Sequence, residues 1–413
     1  MALVRRFGGL IGGLAFLTAC QPEKPPPPEP PVETSTPEPG VASDDLTLTP
    51  ISFGDIPDWS ETPIDPAITA FQQSCRKWEN QDPDALLSSR AKYGGVIADW
   101  MPACRILPKY VEAGEGRRFF EDYFDAFWVE TDEETNRFTG YYEPEVEVSE
   151  YPEGDKTTPV PARPDNLIEA DLGLFDPSLE GRKVWGQVQG SDLVLYDPRA
   201  DIQTESDKAL AYATPADVFF LQIQGSGRLK LPDGTVFRAS FDAHNHRPFE
   251  SLANHLLRTG EITRAEAGMT GLKAWLGRVG LERAQAAMNV NPRFVWFRRT
   301  PIDDPALGPN GAAGLPLTPL GSMAVDLNHH PMGVPMLVRS LIPQTAGVVG
   351  DAPTNLLLIS QDTGGAITGV RRGDIFFGSG EDAGRVAGSM NQPGRFYVFL
   401  PQNLSDRSAS GQP

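Results

Sequence analysis

The stretch Gln361–Gly388, QDTGGAITGVRRGDIFFGSGEDAGRVAG, contains eight glycines together with Asp362 and Asp374. Glycine costs backbone entropy on folding, so this density indicates positive φ angles or a backbone that another group approaches closely. Apolar, β-prone runs lie on both sides, at 356–359 and 396–400, and they predict short strands joined by tight loops. We therefore expect each aspartate where a strand meets a glycine-rich turn, a position that can present a carboxylate to a cleft.

Asp-Thr-Gly-Gly and Gly-Asp are also ordinary turn sequences, in which the side chain accepts hydrogen bonds from nearby amides. A resemblance favours the catalytic interpretation. Together with Pro316–Pro331, PLTPLGSMAVDLNHHP, the stretch resembles the three-aspartate double-psi β-barrel domain of the membrane-bound lytic murein transglycosylase A family. Asp326, Asp362 and Asp374 match the three aspartates of that domain. The last of them is the family's single acid/base, which this match places on Asp374.

Three further motifs resemble those of the family and occur in the same order: FTGYYEP at 138–144, LQIQGSGRL at 221–229 and NPRFVWF at 291–297. The similarity covers roughly 51–400. It implies cleavage of the β-1,4 bond between N-acetylmuramic acid and N-acetylglucosamine in peptidoglycan, with a 1,6-anhydromuramic product, for cell-wall turnover. That chemistry uses one carboxyl group as acid and then as base, so no metal or cofactor is expected.

As the acid, Asp374 needs a raised pKa, which burial or a neighbouring carboxylate supplies. Asp326 and Asp362 are the supporting candidates for that neighbour, or for orienting hydrogen bonds. Sugar rings also need aromatic faces and neutral polar groups. The resemblance extends that role to the family motifs, and the predicted substrate-binding residues are Thr139, Tyr141, Gln224, Ser226 and Asn245.

Two regions depart from the family pattern. At 241–249, FDAHNHRPF, the family usually has Asn-Gly-His-x-Tyr, whereas here Asn245 is followed by His246 and Arg247, and Phe249 replaces the tyrosine. Gly321 stands where the family tends to have arginine. The corner of the groove at 241–249 is therefore expected to differ from that of other family members.

The predicted fold is mainly β with some helices (α+β), a double-psi β-barrel core with an inserted β-rich domain and a glycan groove between them. Helical periodicity at 65–127 precedes a change to strand-like alternation at Phe138. Strands are predicted in KVWGQV, SDLVLYD, DVFFLQIQGSGRLKL and TVFRASF, followed by helices from Phe249 and near 272–287. The predicted parts are a signal peptide (1–20), a linker (21–49), the barrel domain (50–137 plus 286–402), the insert (138–285) and a tail (403–413).

The first twenty residues have Arg5 and Arg6, an apolar run too short to span a bilayer, and Leu-Thr-Ala before Cys20. This pattern is typical of a lipoprotein signal peptide, with an uncleaved anchor as the alternative. Lipidation of Cys20 then attaches the mature chain to a membrane. Gln21 leans by analogy toward the outer membrane, with the enzyme facing the periplasm and a cell-wall synthesis or degradation complex as a candidate partner. The proline-rich residues that follow are expected to form an extended tether.

The net charge of −19 argues against nucleic acid as a ligand, because phosphates need a basic face. Once Cys20 carries lipid, Cys75 and Cys104 remain as an even pair in an oxidising compartment, which predicts a disulfide. Their spacing does not favour a metal site. The pair His244/His246 lacks a third ligand at metal-binding spacing, and the adjacent side chains of His329 and His330 are expected to point apart. GSGEDAG lacks the βαβ frame of a dinucleotide site.

Two other function classes stay open from the residues. Asp362-Thr363-Gly364 has the form found in aspartic peptidases, but that chemistry needs two copies and so a symmetric dimer. A noncatalytic glycan-binding protein on the same barrel would use the aspartates only to hold sugar. Cleavage of peptidoglycan separates these alternatives from a transglycosylase.

Overall fold

The computed structural model describes residues 46–179, 182–204, 206–345 and 348–409. The predicted signal peptide with Cys20, nearly all of the predicted linker and the last residues of the predicted tail lie outside the described residues. All described residues belong to a single compact unit. Within them, no helix is both long enough and apolar enough to cross a bilayer.

The described chain contains both helices and strands, which are numbered here in chain order. The helices are α1 (Asp65–Trp78), α2 (Ile97–Glu112), α3 (Gly116–Tyr123), α4 (Pro215–Gln224), α5 (Leu252–Arg258), α6 (Met269–Arg278), α7 (Leu281–Met288), α8 (Gly380–Ala387) and α9 (Gln402–Ala409). The strands are β1 (Thr47–Ile51), β2 (Phe124–Glu130), β3 (Asn136–Glu143), β4 (Glu145–Glu147), β5 (Thr158–Pro161), β6 (Ile168–Asp171), β7 (Lys183–Gln189), β8 (Asp192–Leu195), β9 (Ala209–Ala213), β10 (Gly227–Lys230), β11 (Val236–His244), β12 (Val295–Thr300), β13 (Ser322–Val325), β14 (Pro335–Ser340), β15 (Pro343–Thr345), β16 (Val348–Val349), β17 (Thr354–Asp362), β18 (Arg371–Ser379), β19 (Asn391–Gln392) and β20 (Gly394–Pro401). The α+β class is confirmed.

The largest sheet has nine strands in the order β1-β2-β20-β14-β17-β13-β18-β3-β19. Two of its pairs, β13 with β17 and β18 with β3, are parallel. Parallel neighbours need crossover connections, so this sheet joins segments that are far apart in the sequence. The predicted double-psi barrel stays a prediction. The strands at the centre of the sheet are buried on both faces, as Leu356 to Ile359 in β17 illustrate.

The N-terminal helices pack on this sheet. In α1 the buried residues Ala67, Phe71, Ser74 and Trp78 recur every three or four positions, which is the spacing of one helix face. Phe71 lies at the centre of an aromatic cluster that links α1 to α2, α3 and β2. A disulfide joins Cys75 in α1 to Cys104 in α2, with their Cα atoms 5.4 Å apart.

A second sheet has four strands in the order β12-β11-β10-β4, and its residues lie between Glu145 and Thr300. The predicted limits of the insert, 138–285, stay a prediction. Phe138 lies in β3, which is a strand of the nine-stranded sheet, and β12 at Val295–Thr300 belongs to the second sheet. The strands β6, β7 and β8 form a separate small sheet.

The strand predicted for DVFFLQIQ is wrong, because this segment is the helix α4. Thr214 caps the helix through a hydrogen bond from the Asp217 amide to its hydroxyl, and Pro215 occupies the first turn. Gly225 ends the helix with a φ of 81°, the left-handed cap that glycine adopts readily. Similarly, the single helix predicted near 272–287 is divided into α6 and α7 at Gly280.

Candidate active site

Four residues form a row across the nine-stranded sheet. Ala324 in β13 pairs with Asp362 in β17 on one side and with Asp374 in β18 on the other, and Asp374 pairs with Thr139 in β3. Residues directly opposite each other on neighbouring strands project on the same face. Adjacent strands lie about 4.8 Å apart, so the two aspartates flank the small side chain of Ala324.

Asp374 occupies the fourth position of β18, within the strand and not at its junction with a turn as predicted. One oxygen accepts a hydrogen bond of 2.7 Å from the Thr139 hydroxyl. Although the residue keeps some exposure toward the cleft, protein surrounds the carboxyl group. Burial raises the pKa of Asp374 to about 6, with a smaller rise from the charge of Asp362, while the bond from Thr139 and the charge of Arg372 oppose the rise.

Asp362 ends β17 directly before the Thr-Gly-Gly turn, as predicted from the sequence. Its carboxylate accepts bonds from the amides of Ala312 and Thr363, both at 2.9 Å, and from the Tyr141 hydroxyl at 2.8 Å. Burial raises the pKa of Asp362, and these three bonds oppose the rise. Three donors stabilise the ionised form of Asp362 against one for Asp374. The surroundings of the two carboxylates are therefore unequal, and we expect Asp374 to be the one that binds a proton more readily.

Asp326 follows β13 and fastens loops. One oxygen accepts a bond from the Asn328 amide at 2.9 Å, and the other accepts one from the Gly369 amide at 2.8 Å. Gly369 closes the glycine-rich turn that begins after Asp362, and its φ of 113° requires glycine. The structure thus gives Asp326 an orienting role for this turn.

A cleft of about 320 Å³ opens beside the row. One wall carries Asp362, Asp374 and Tyr141, and the opposite wall carries Gln224 at the end of α4 and Phe241 in β11. The Oε1 atom of Gln224 is buried without a hydrogen-bond partner among the described residues. An unpaired buried acceptor is costly, so a hydrogen-bond donor on a ligand in the cleft would stabilise this side chain.

Three predicted substrate-binding residues, Thr139, Ser226 and Asn245, do not line the cleft. Thr139 contacts Asp374 instead. Ser226 is buried, accepting a bond from the Phe241 amide. Asn245 is fully buried, and its side chain binds the carbonyls of Asp197 and Pro292 and the amide of Phe294. All of these partners are backbone groups. The side chains of Ser226 and Asn245 therefore hold the backbone of the cleft wall, a task that the sequence alone could not distinguish from sugar binding.

The two departures from the family pattern have local explanations. His246 has a φ of 58°, a conformation that suits the glycine usually found there. Its ring stacks on His244, with centroids 5.4 Å apart. At Gly321, a Cβ atom would lie 2.3 Å from the carbonyl oxygen of Pro66 in α1. The close approach of helix and sheet therefore leaves no space for a side chain there.

Glu143 is a buried residue that the sequence did not single out. At the end of β3, its carboxylate is paired with Arg228 of β10 at 2.9 Å and with Arg238 of β11, and it accepts a bond of 2.7 Å from Ser379 of β18. Arg228 and Arg238 lie far from Glu143 in sequence, so no local pattern marks them. This cluster joins the two sheets that form the walls of the cleft.

A larger cavity, of about 680 Å³, lies elsewhere between Leu320, Ile342, Leu356 and Phe377, with Asp382 at its rim. None of the residues of the row lines it, so this cavity is not the candidate active site despite its larger volume. Among the described residues, no group of three or more His, Cys, Asp or Glu side chains is arranged to hold a metal ion.

Two neighbouring carboxylates in unequal surroundings beside a cleft are the arrangement of a protein that catalyses acid/base chemistry. Models of two families match the chain: the MltA specific insert domain at 137–298 and the 3D domain at 321–400. The chain belongs to the membrane-bound lytic murein transglycosylase A family.

Three relatives illustrate the match. The membrane-bound lytic murein transglycosylase A of Escherichia coli K12 is 26% identical over 360 residues, which are 85% of this chain and 86% of the relative. The crystal structure of a membrane-bound lytic murein transglycosylase from Agrobacterium tumefaciens has 26% identity and a TM-score of 0.73, covering 87% of this chain and 99% of that one. The lytic transglycosylase LtgG of Burkholderia pseudomallei has 33% identity and a TM-score of 0.52, covering 86% and 95%.

Proposed function

We propose that this protein is a peptidoglycan lytic transglycosylase in which Asp374 is the single acid/base. Membership of the family supports the reaction, since its relatives carry the name lytic murein transglycosylase. The observation that supports the assignment to Asp374 is the inequality of the two carboxylates. Asp374, with a pKa of about 6 and one donor, is the group suited to carry a proton.

The reaction begins with transfer of that proton to the oxygen that bridges N-acetylmuramic acid and N-acetylglucosamine. The bond from the anomeric carbon to this oxygen breaks, and positive charge develops on the muramic ring. Asp362, whose ionised form is stabilised by bonds from Tyr141 and two amides, would supply a negative charge on the far side of Ala324 that stabilises this centre. The Asp374 carboxylate then removes the proton from the 6-hydroxyl of the same ring, and the 6-oxygen closes the 1,6-anhydro bond. No water is consumed.

The other residues of the site either contact the ligand or position a residue that does. Tyr141 and Gln224 face the ligand, with the unpaired Oε1 of Gln224 positioned for an N–H or O–H donor of a sugar. Thr139 acts through Asp374, and Asp326 acts through the turn that follows Asp362. The aspartic peptidase alternative gains no support, because the aspartate on the other side of Ala324 from Asp362 is Asp374, which is not part of a second Asp-Thr-Gly sequence.

The Cys20 lipid anchor in the outer membrane, facing the periplasm, is part of the same proposal. It rests on the signal-like sequence before Cys20 and on the membrane-bound description of the relatives.

The products of peptidoglycan digestion test the reaction. Mass spectrometry should find muropeptides that end in a 1,6-anhydro sugar, whereas a hydrolase would release reducing ends heavier by one water. The Asp374→Asn variant should lose more than the roughly 100- to 10,000-fold credited to one proton-transfer group and still bind glycan. Asp326→Asn, which removes a loop contact, is the matched control and should keep measurable turnover. Anhydro-muropeptides released by folded Asp374→Asn protein at the wild-type rate would overturn the assignment.

A further inference from the structure

Among the described residues that line the cleft, Arg293 is the only one with a positive charge. It belongs to the loop Asn291–Phe294 that enters β12, and its side chain is partly buried. Its Nη1 atom lies 3.8 Å from the point that a Cβ atom on Gly365 would occupy. The guanidinium therefore reaches from the second sheet to the glycine-rich turn that follows Asp362.

This guanidinium has little protein to bind. It carries five N–H donors, and the hydrogen bonds among the described residues use one of them, from Nη1 to the carbonyl of Arg247 at 3.4 Å. No carboxylate of the described residues lies within 4.0 Å of it. The contrast with Arg228 and Arg238 is clear, because both are paired with the buried carboxylate of Glu143.

Side chains hold the backbone of the loop that carries Arg293 through hydrogen bonds. The Arg293 amide donates to Asn291 at 3.2 Å, and its carbonyl accepts a bond of 2.6 Å from Arg199. Asn245 binds the residues on both sides of it, Pro292 and Phe294. A charged group on a fixed loop, with donors free to face a cleft, is preorganised for an incoming anion.

We propose that Arg293 is the carboxylate-binding residue of this cleft and receives a carboxylate carried by the muramic residue of the substrate. A guanidinium binds a carboxylate through two parallel bonds. The chain as a whole has a charge of −19, so a local cation is needed to accept an anionic glycan. Burial lowers the pKa of Arg293, which shows that the cation is poorly solvated and would gain from an anionic partner.

The carboxylate has two chemical sources. In glycan strands without stem peptides, the lactyl group of each muramic residue ends in a free carboxylate. In peptide-bearing strands that group is an amide, and the free carboxylates lie on the peptide. Chitohexaose has no carboxylate. These three probes distinguish the sources from each other and from contact with the sugar ring.

Binding measured by calorimetry in an Asp374→Asn background tests the proposal without turnover. Arg293→Gln should weaken binding of at least one carboxylate-bearing probe about 10- to 100-fold, the effect of losing a charge-assisted hydrogen bond. It should leave chitohexaose within about twofold. Arg293→Lys, which keeps the charge but not the paired donors, should give an intermediate loss. Arg298→Gln is the matched control, because Arg298 lies on β12, pairs with Asp242 and does not line the cleft.

Loss with peptide-free strands alone identifies the lactyl group, and loss with peptide-bearing strands alone identifies the stem peptide. An equal loss for all three probes, or no loss for any, overturns the proposal.

A second measurement leaves Arg293 intact. The charge of Arg293 helps to lower the pKa of His246, so an anion bound to Arg293 should raise the pKa of His246 in an NMR titration, and chitohexaose should not. An unchanged His246 titration with both charged probes would equally overturn it.

The proposal rests on the proposed function, but the two fail separately. If wild-type protein releases no anhydro product while Arg293 still discriminates among the probes, the transglycosylase assignment fails and the carboxylate site stands. If anhydro products form and the probes are not discriminated, the transglycosylase assignment stands and the carboxylate site fails.

Discussion

Replacing Thr139 with valine should extend the activity of the enzyme to higher pH. The Thr139 hydroxyl donates a bond of 2.7 Å to Asp374 and stabilises its ionised form. Valine has the same shape and no hydroxyl, so burial of Asp374 is kept while this bond is lost. The pKa of Asp374 should therefore rise above its wild-type value of about 6.

The size of the effect follows from the protonated fraction of Asp374. With a pKa of about 6, about one tenth of the wild-type enzyme carries the catalytic proton at pH 7 and about one hundredth at pH 8. A hydrogen bond to a charged group contributes about 1.5–3 kcal/mol, and about 1.4 kcal/mol corresponds to tenfold in a proton-binding constant. The ratio of kcat/KM at pH 8 to that at pH 5 should rise about tenfold or more in Thr139→Val.

The assay is kcat/KM for release of 1,6-anhydro muropeptides between pH 4.5 and 9, which reports the pKa of the free enzyme. Each variant is compared with its own value at pH 5, so a change in substrate affinity does not enter. Thr139→Ser keeps the hydroxyl and should follow the wild-type profile. Asp362→Asn removes a like charge and should move the basic limb to lower pH. A Thr139→Val limb that coincides with wild type, or moves down, would refute the role given to Thr139.

Three further predictions concern stability and attachment. Asp374 binds its proton more tightly when folded, since its ordinary pKa of 3.8 rises to about 6; that stabilisation is present below about pH 4 and is lost as the pH rises through 6. Asp374→Asn should therefore match wild type in urea unfolding at pH 4 and exceed it by up to about 3 kcal/mol at pH 8; equal stability at both would contradict the buried charge. His246→Gly should be more stable than His246→Ala by about 1 kcal/mol, because alanine keeps the strain of the positive φ, and the reverse order would refute that strain. Cys20→Ala should release active protein from membranes, and sedimentation through a carbonate wash would contradict the anchor.

Much of the fold was predictable because hydrophobic period and glycine density are local signals. The pattern at 65–127 gave α1, α2 and α3, and the runs on both sides of the glycine-rich stretch gave β17 and β20. The error at α4 arose because Val218–Leu221, VFFL, is a short apolar and aromatic run, a composition that suits a buried strand and a buried helix equally. The caps Thr214, Pro215 and Gly225 were the available signal.

The site was predictable as a set of residues and not as a set of roles. Asp362, Asp374 and Tyr141 were expected, and the structure brings them together at one cleft. Asn245 occupies a motif position too, yet its amide binds only backbone groups. Glu143 and Arg293 lie within motifs that resemble those of the family, but the motifs do not indicate their roles, because what defines each residue is the presence or absence of a partner far away in sequence.

The unequal pair at the centre of the site results from register. Asp362 and Asp374 are only twelve residues apart, but they are neighbours of the same residue, Ala324, on opposite sides of β13. This places Asp362 beside the loop at Ala312 and its own turn, where amides are available, and places Asp374 beside the β3 strand, whose backbone groups are used by the sheet and which offers only the Thr139 hydroxyl. A shift of β18 by one residue would turn Asp374 to the other face of the sheet. The proton-binding difference therefore depends on strand pairing between segments distant in sequence, and it is set by the fold before any substrate binds.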